Sequence, residues 1–386
     1  MKIFVSAGEV SGDLHGSHLL QQIKLNAPET ELLGVGGNLM QAAGMKLLYH
    51  INQMSIVGMT EVIRHIPFLR EVFRNLKEVL QQQKPDLLIL IDYPGFNLRL
   101  AKIACELGIP VMYYIIPQIW AWGFHRIKKI AQLVERAAVI FPFEEALLRD
   151  AGIHAQFVGH PLLDNIRTQF SKSEFLFNSE LKPNTKILGL LPGSRQAEIK
   201  SLLPEMIRTV KILKKQEPGL QVVIGQADNL PVSLFEPFLN GDATVKLVPG
   251  ASYEIMKYSD ALLCASGTVT LEAALFDTPM VIGYRTSNIT FFLAKILVKI
   301  QNIGLPNIIA GKLVAPEFIQ HRFKAEFIAP VLEKLLFDDA AAEAQRRELV
   351  TIRKKMGKPG AAQAAANMAL EMISQNFEMA IPEKYL

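Results

Sequence analysis

Residues 2–16 read KIFVSAGEVSGDLHG, and this stretch decides the fold. The apolar run Ile3–Ala7 predicts a buried strand, because strands covered on both faces read as continuous apolar segments. Three glycines follow at intervals of four residues, and they predict a tight turn into a helix that opens near Asp13. A strand that turns directly into a helix begins a βαβ unit with parallel strands.

Similar apolar runs recur along the chain. They predict strands at residues 87–91, 111–116, 137–141, 187–191, 221–224, 261–264 and 280–282. Longer helical patterns lie between them, as at residues 97–107 and 202–215. Alternating strands and helices predict the α/β class, with parallel sheets and right-handed crossovers.

The chain has 386 residues, more than one ordinary domain of about 150 residues. A polar segment at 167–184 interrupts the strand–helix pattern and marks a boundary. We predict two Rossmann-like domains whose sheets face a central cleft, where ligands of open α/β sheets usually bind. The predicted divisions are a first domain at 1–168, a linker at 169–184, a second domain at 185–358, and a C-terminal helix and tail at 359–386 that packs on the first domain or on a second subunit.

Composition excludes several protein classes. The formal net charge of +4 is too small for a nucleic-acid binder. Only Cys105 and Cys264 occur, far apart and without histidine neighbours, which argues against a disulfide framework and a zinc site. No secretory signal is expected after Met1, and no membrane-spanning segment is expected elsewhere. These features predict a cytoplasmic protein.

The first glycine-rich loop carries several polar residues. Ser11 and Gly12 are candidate substrate contacts, and Glu9, Asp13 and His15 are candidate acid–base groups. The alternative is a plain connection between a strand and a helix. Neither a GxGxxG dinucleotide fingerprint nor a P-loop is complete anywhere in the sequence.

Two turns in the second half suit a phosphate. Ser266, Gly267 and Thr268 follow a predicted strand and open a helix, where free N–H groups and the helix dipole favour an anion. Glu272, one turn later, is placed to accept hydrogen bonds from ribose hydroxyls. The turn LPGSR offers Arg195 as a cation for a diphosphate. The alternative for Ser266 is a simple helix cap.

Asp92 ends the apolar run at 87–91, so its carboxylate is expected at the carboxyl edge of the sheet. A carboxylate at that edge can act as a general base on a sugar hydroxyl. The alternative is that Asp92 caps the helix that begins near Asn97.

Taken together, these motifs resemble the lipid-A-disaccharide synthase family in order over nearly the whole chain. They are AGEVSGDLHG (7–16), IDYPGFN (91–97), PQIWAWG (117–123), PFE (142–144), FVGHP (157–161), LPGSR (191–195), ASGTVTLE (265–272) and LPNIIAG (305–311). The resemblance implies a GT-B fold and an inverting transfer. In that reaction, 2,3-diacylglucosamine moves from its UDP derivative to the 6-hydroxyl of 2,3-diacylglucosamine 1-phosphate, giving a β-1,6 disaccharide and UDP.

The resemblance also implies residue roles. Asp92 would be the base or the anchor of the acceptor, with Asp13, Glu9 and His15 left as other candidates for the base, and Glu272 would bind the ribose. The diphosphate would contact Ser266, Gly267, Thr268, Arg195 and Asn307. No cofactor or metal is implied, and the sequence lacks a DxD motif. The segment Gly123–Arg126 is less basic than in many relatives, which weakens the case for an acceptor-phosphate contact there.

Two rival functions stay open at the level of sequence. A UDP-sugar 2-epimerase of the same fold would also need the UDP-binding turns but would act on a soluble sugar. A non-catalytic nucleotide or lipid carrier could keep Glu272 and lose the acid–base residues. Fold alone does not decide among these.

The resemblance implies attachment to the inner face of the inner membrane. An amphipathic segment at 62–77 places Ile63, Ile66, Phe68, Leu69 and Phe73 as candidate contacts with an anionic membrane surface. The alternative is a domain helix whose apolar side faces its own core. Residues 290–300 are a second candidate for the membrane contact, and a homodimer through the C-terminal tail is a further prediction.

Overall fold

A computed structural model describes residues 1–54, 59–123, 126–239, 245–287, 291 and 302–380, without the side chains of 59–66, 121–122 and 377–380. The chain divides into two compact units. Unit 1 comprises Met1–Asp164 and the chain from Met356 onward, and unit 2 comprises Asn165–Lys355.

Unit 1 is built on a seven-stranded parallel sheet with the order β3-β2-β1-β4-β5-β6-β7. The strands are β1 (Lys2–Ala7), β2 (Glu31–Gly36), β3 (Lys46–His50), β4 (Leu87–Ile91), β5 (Val111–Tyr114), β6 (Arg136–Val139) and β7 (His154–Phe157). The strand order reverses between β1 and β4, where Ala7 pairs with Ile91. Loops leaving such a pair diverge to opposite faces and open a crevice at the carboxyl edge.

Helices cover both faces of this sheet. They are α1 (Val10–Asn26), α2 (Asn38–Ala42), α3 (Ile51–Met54), α4 (Met59–Gln83), α5 (Pro94–Glu106), α6 (Ile119–Trp122), α7 (Ile127–Leu133), α8 (Pro142–Asp150) and α9 (Leu162–Asn165). The core includes Phe4, Leu88 and Tyr113, all fully buried. Their burial explains why the strands read as apolar runs.

Unit 2 has a six-stranded parallel sheet with the order β10-β9-β8-β11-β12-β13. The strands are β8 (Ile187–Leu191), β9 (Gln221–Gln226), β10 (Val245–Pro249), β11 (Ala261–Ala265), β12 (Met280–Tyr284) and β13 (Glu317–Ile319). Here the order reverses between β8 and β11, where Leu191 pairs with Cys264. The prediction of two α/β domains with parallel sheets is confirmed.

The helices of unit 2 flank its sheet in the same way. They are α10 (Lys172–Asn178), α11 (Gln196–Gln216), α12 (Glu236–Leu239), α13 (Ser252–Tyr258), α14 (Thr268–Leu275), α15 (Leu305–Ala310), α16 (Ala325–Phe337) and α17 (Asp339–Lys355), with short 3-10 turns at Val232–Leu234 and Gln320–Arg322. Residues 169–184, predicted as a linker, include α10 and belong to unit 2.

The C-terminal helix α18 (Ala361–Ala380) returns to unit 1 and packs on α1. Ala365, Ala369 and Met372 are buried on it. The amide of Asn26 donates a hydrogen bond of 3.1 Å to the Asn367 side chain. This helix therefore packs within unit 1, and the homodimer through the C-terminal tail stays a prediction.

No helix in the described part of the chain is long and apolar enough to cross a bilayer.

Candidate active site

Asp92 lies at the carboxyl edge of the unit 1 sheet, directly after β4. Its φ is +45° and that of Tyr93 is +49°, so two consecutive non-glycine residues have left-handed backbone conformations. Such strain is stored mainly at functional sites. Burial, and then the nearby Glu9 carboxylate, raises the pKa of Asp92, which brings this carboxyl closer to the pKa that suits a general base at neutral pH.

The strained turn is held by Asn97, a fully buried amide on α5. Its Nδ2 donates to the carbonyl oxygen of Asp92 at 2.7 Å, and its Oδ1 accepts from the Ser6 hydroxyl at 2.7 Å. The Tyr113 hydroxyl donates to the same Asp92 carbonyl at 2.6 Å. This network ties β1, β4 and β5 to the turn. Asp92 therefore does not cap the helix; the Asn97 side chain instead fixes the Asp92 main chain.

The first glycine-rich loop lies against this turn. A Cβ atom on Gly8 would lie 2.1 Å from the ring of Tyr93, so only glycine permits the approach. The Asp13 N–H donates to the Glu9 carbonyl. The helix α1 was predicted to begin near Asp13, but it begins at Val10. Ser11 is exposed in the first turn of α1, and Gly12 is buried there.

Asp13 has a structural environment that does not fit the predicted acid–base role. Its Oδ1 accepts from the N–H groups of Gly37 at 2.8 Å and Met40 at 3.0 Å, and its Oδ2 accepts from Leu39 N–H at 3.1 Å. Both oxygens therefore cap the start of α2. This buried carboxylate acts as a clasp between α1 and α2, which disfavours Asp13 as the base, and its catalytic role stays a prediction.

His15 and His160 form a pair of buried imidazoles in unit 1. Burial, and then the neighbouring His18, lowers the pKa of His15 to about 4, and burial together with His15 lowers the pKa of His160 to about 3. Within the described residues, His15 Nδ1 is buried without a hydrogen-bond partner. A pKa of about 4 makes the His15 imidazole a weak proton acceptor, so His15 is a poor candidate for the base. His160 was not identified as a site residue from the sequence.

Glu144, in the PFE motif, was also missed. It is buried, and its carboxylate accepts from Trp120 Nε1 at 2.9 Å and from Phe141 N–H at 3.1 Å. Burial raises its pKa to about 7. Trp120 belongs to the PQIWAWG motif, so this contact joins two motifs that are separate in sequence.

In unit 2, the predicted phosphate turns lie at the point where the strand order reverses. Arg195, Ser266, Gly267, Thr268 and Glu272 all line one cavity of about 350 Å³. Gly267 is the N-cap residue of α14, and no side chain caps that end. Ser266 therefore does not act as the cap: its hydroxyl donates to the Ile303 carbonyl at 3.4 Å. The uncapped N–H groups of α14 are available to an anion.

The turn before Arg195 is held by Glu198 on α11. Gly193 has a φ of +110°, a conformation that favours glycine. The Glu198 carboxylate accepts from the N–H groups of Ser194 at 3.0 Å and Arg195 at 3.2 Å. The Arg195 guanidinium lies 3.6 Å from the same carboxylate but is 82% exposed. It is therefore free to turn toward a diphosphate.

A second cavity, of about 360 Å³, adjoins the first. It is lined by Gln226, Gly250 and Tyr253 among others, and it shares Glu272 with the first cavity. The Tyr253 hydroxyl donates to Glu272 Oε1 at 3.2 Å. The pKa of Glu272 is raised overall, because burial raises it by more than the Tyr253 hydrogen bond lowers it. Glu272 thus lies between an anion-suited turn and a cavity that Tyr253 lines.

Comparison with known proteins decides the family. The family model described as lipid-A-disaccharide synthetase matches residues 3–372. The chain belongs to this family. It is 40% identical over 375 residues to the lipid-A-disaccharide synthase of Geobacter metallireducens, covering 97% of this chain and 98% of that protein. Against the synthase of Trichlorobacter lovleyi it is 41% identical over 376 residues, covering 97% and 98%. The predicted family and its glycosyltransferase activity are confirmed.

Solved structures show the fold that the lipid-A-disaccharide synthase family shares with others. The chain matches a putative UDP-N-acetylglucosamine 2-epimerase from Listeria monocytogenes with a TM-score of 0.63 and 13% identity, covering 98% of this chain and 97% of that one. A glycosyltransferase from Rickettsia africae matches with a TM-score of 0.56 and 10% identity, covering 97% and 98%. The predicted GT-B fold is confirmed. At such identities the likeness concerns fold alone, and the family assignment disfavours the epimerase and carrier alternatives.

The diphosphate contact that the family resemblance implied for Asn307 stays a prediction, and the structure gives this residue several hydrogen bonds within the protein. Asn307 is fully buried on α15, and its Nδ2 donates to the Ala315 carbonyl and to Glu317 Oε1, both at 2.7 Å. Its Oδ1 accepts from Val314 N–H at 2.7 Å and from Ala315 N–H at 2.8 Å. Its amide is therefore engaged by the protein itself and fixes the loop before β13.

The predicted membrane segment forms part of α4. Phe68, Leu69 and Phe73 are partly buried against the core of unit 1, and the rings of Phe73 and Phe96 stack at 4.6 Å. The side chains of Ile63 and Ile66 lie outside the described residues, as does 290–300 apart from Phe291. These contacts follow the alternative in which the apolar side of the helix faces its own core.

Proposed function

We propose that Asp92 is the general base of an inverting transfer of 2,3-diacylglucosamine from its UDP derivative to the 6-hydroxyl of 2,3-diacylglucosamine 1-phosphate. The observation that carries this proposal is the environment of Asp92. It combines a strained backbone at the sheet edge with a carboxyl whose pKa is raised by burial and by Glu9. Neither Asp13 nor His15 has such a backbone conformation.

The chemistry is a single displacement. Asp92 accepts the proton of the 6-hydroxyl as its oxygen bonds to the anomeric carbon of the donor. The bond from that carbon to the β-phosphate oxygen breaks, and UDP leaves with the electron pair. Inversion at this carbon turns the α-linked donor into a β-1,6 product, and the proton passes from Asp92 to solvent.

Unit 2 supplies the donor site in this proposal. The N–H groups at the start of α14 and the Arg195 guanidinium stabilise the diphosphate, whose charge increases on the leaving oxygen. Glu272 accepts hydrogen bonds from the ribose hydroxyls, and the cavity beside Tyr253 receives the uracil. The chain's own N–H groups and guanidinium supply these interactions.

The direct test is incubation of the purified protein with both diacyl substrates, followed by mass spectrometry of the products. We expect a disaccharide 1-phosphate and UDP in equal amounts. UDP release without disaccharide, or interconversion of the donor with its 2-epimer, would contradict the proposal.

We also propose that the enzyme acts on the inner face of the inner membrane through the exposed cations of α4. Arg70, Arg74 and Lys77 are exposed and suit acidic headgroups. Replacing all three with Gln is expected to reduce flotation with anionic vesicles without lowering the melting temperature. The matched control replaces Lys211, Lys215 and Arg347, exposed cations of unit 2, and equal flotation of the two triple variants would contradict this role.

A further inference from the structure

Three large apolar side chains are exposed at the carboxyl edge of the unit 1 sheet. Val10 is 75% exposed, Leu14 is 38% exposed and Leu39 is 44% exposed. Single exposed apolar residues are normal on protein surfaces, so their placement decides whether they matter.

These residues lie at the starts of two helices, α1 and α2, that contact each other. Val10 and Leu14 are four residues apart on α1, so they share a face of that helix. Leu39 lies in the first turn of α2, and its N–H donates to the carboxylate of Asp13, the residue before Leu14. We call these three residues the α1–α2 patch. The clasp made by Asp13 fixes the patch, because it holds the start of α2 on the first turns of α1.

The patch lies beside the proposed base. Gly8 is packed against the ring of Tyr93, which follows Asp92, and Glu9 is close enough to raise the pKa of Asp92. Val10 is the next residue along the chain.

Between Leu14 and Leu25, the outward residues of α1 are polar. They are His18, Gln21 and Gln22. A polar stretch therefore separates Val10 and Leu14 from Leu25, the exposed apolar side chain at the far end of α1.

We infer that the α1–α2 patch contacts the acyl chains of the acceptor, an inference that rests on the proposed function. The acceptor must bring its 6-hydroxyl to Asp92, and its two acyl chains are attached to the same sugar ring. These chains must therefore leave the ring close to Asp92, where water-exposed apolar side chains would gain by covering them. Each methylene removed from water strengthens binding by about fourfold.

The test compares acceptors with acyl chains of different length in detergent micelles. The variant replaces Val10 with Thr and both Leu14 and Leu39 with Gln. With a long-chain acceptor we expect its KM to rise about tenfold or more, with kcat within about twofold of wild type. With a four-carbon acceptor the KM should be unchanged, and the donor KM should be unchanged with either. The control replaces Leu25, exposed at the other end of α1, with Gln.

Three results would overturn the inference. An equal rise in KM for short- and long-chain acceptors would indicate that the patch positions the sugar rather than the acyl chains. A rise in the donor KM would assign the patch to the donor. Unchanged acceptor KM combined with weaker vesicle flotation would assign the patch to the bilayer. A melting temperature equal to that of wild type excludes unfolding as the cause. If wild type itself forms no disaccharide, the proposed function fails first, and that outcome is distinct from the other three.

Discussion

The two sheets have the same topology at their reversal points but present different chemistry there. In unit 1, the loops after β1 and β4 bring Glu9 close to Asp92, and burial raises the pKa of Asp92. In unit 2, the turns after β8 and β11 carry glycine, serine, threonine and arginine, and they line open cavities. The difference teaches that one topology presents a carboxyl with a raised pKa or turns that suit a phosphate, according to the residues in the loop after each strand.

The largest expected effect tests the unit 1 half of this comparison. Asp92→Asn should lower kcat by about 10²- to 10⁴-fold, the usual contribution of a general base. The affinity for UDP should stay unchanged, because UDP is assigned to unit 2. Steady-state kinetics and calorimetry with UDP measure the two effects. Asp150→Asn, an exposed aspartate of α8, serves as the control, and near-normal turnover of Asp92→Asn would remove this residue as the base.

Glu272→Ala tests the unit 2 half. Hydrogen bonds to a charged group contribute about 1.5–3 kcal/mol, so we expect UDP to bind about 10- to 100-fold more weakly. At saturating donor, kcat should change little, since a ribose contact is made equally in the ground and transition states. Titration of UDP with this variant and with Glu236→Ala, exposed in α12, checks the expectation. Unchanged affinity with collapsed kcat would contradict it.

The His160→Gln variant tests whether a buried titratable group makes the stability of unit 1 depend on pH. Because the folded pKa of about 3 lies below the unfolded value of about 6.5, the stability due to neutral His160 is present above pH 6.5. It is lost as pH falls from 6.5 toward 3. At pH 5 this effect lowers the free energy of unfolding by about 2 kcal/mol. The variant should not show this decrease.

Unfolding measured between pH 5 and 7.5 should therefore show a shallower decline for His160→Gln than for wild type. His154→Gln, exposed on β7, should follow the wild-type curve. A variant as acid-sensitive as wild type would show that His160 does not contribute to this pH dependence.

The smallest expected effect sharpens the link between Glu9 and Asp92. The Glu9 carboxylate raises the pKa of Asp92, so Glu9→Gln should lower that pKa. The acid limb of the kcat/KM profile should then move to lower pH, because the Asp92 carboxyl loses its proton at a lower pH. An acid limb that stays in place, or moves to higher pH, would show that Glu9 does not set this pKa.

Much of the fold could be predicted because buried parallel strands are apolar on both faces. Every apolar run predicted as a strand forms one. The strands β2, β3, β10 and β13 were not predicted. Glycines interrupt β2, β3 begins with a lysine and ends with a histidine, a lysine interrupts β10, and β13 is only three residues long, so their apolar signal is weak.

The site was predictable only where position along a strand decides function. Asp92 and Glu272 follow strands and were identified from that position. Asp13 and Asn307 lie in motifs of the same kind as those of Asp92 and Glu272. Their side chains, however, accept hydrogen bonds from the protein's own backbone. Sequence does not show which groups a polar side chain bonds. Tyr253 was missed because it meets Glu272 only through the fold.

Unit 1 is made of two chain segments separated by the whole of unit 2, and this has a consequence for synthesis at the ribosome. Asn26 and Asn367, which join α1 to α18, are 341 residues apart. Chain growth runs from the amino terminus, so α1 emerges long before its partner helix exists. Unit 2 is continuous and can complete its folding first. The order in which the two units finish folding is thus the reverse of the order in which they begin to be translated.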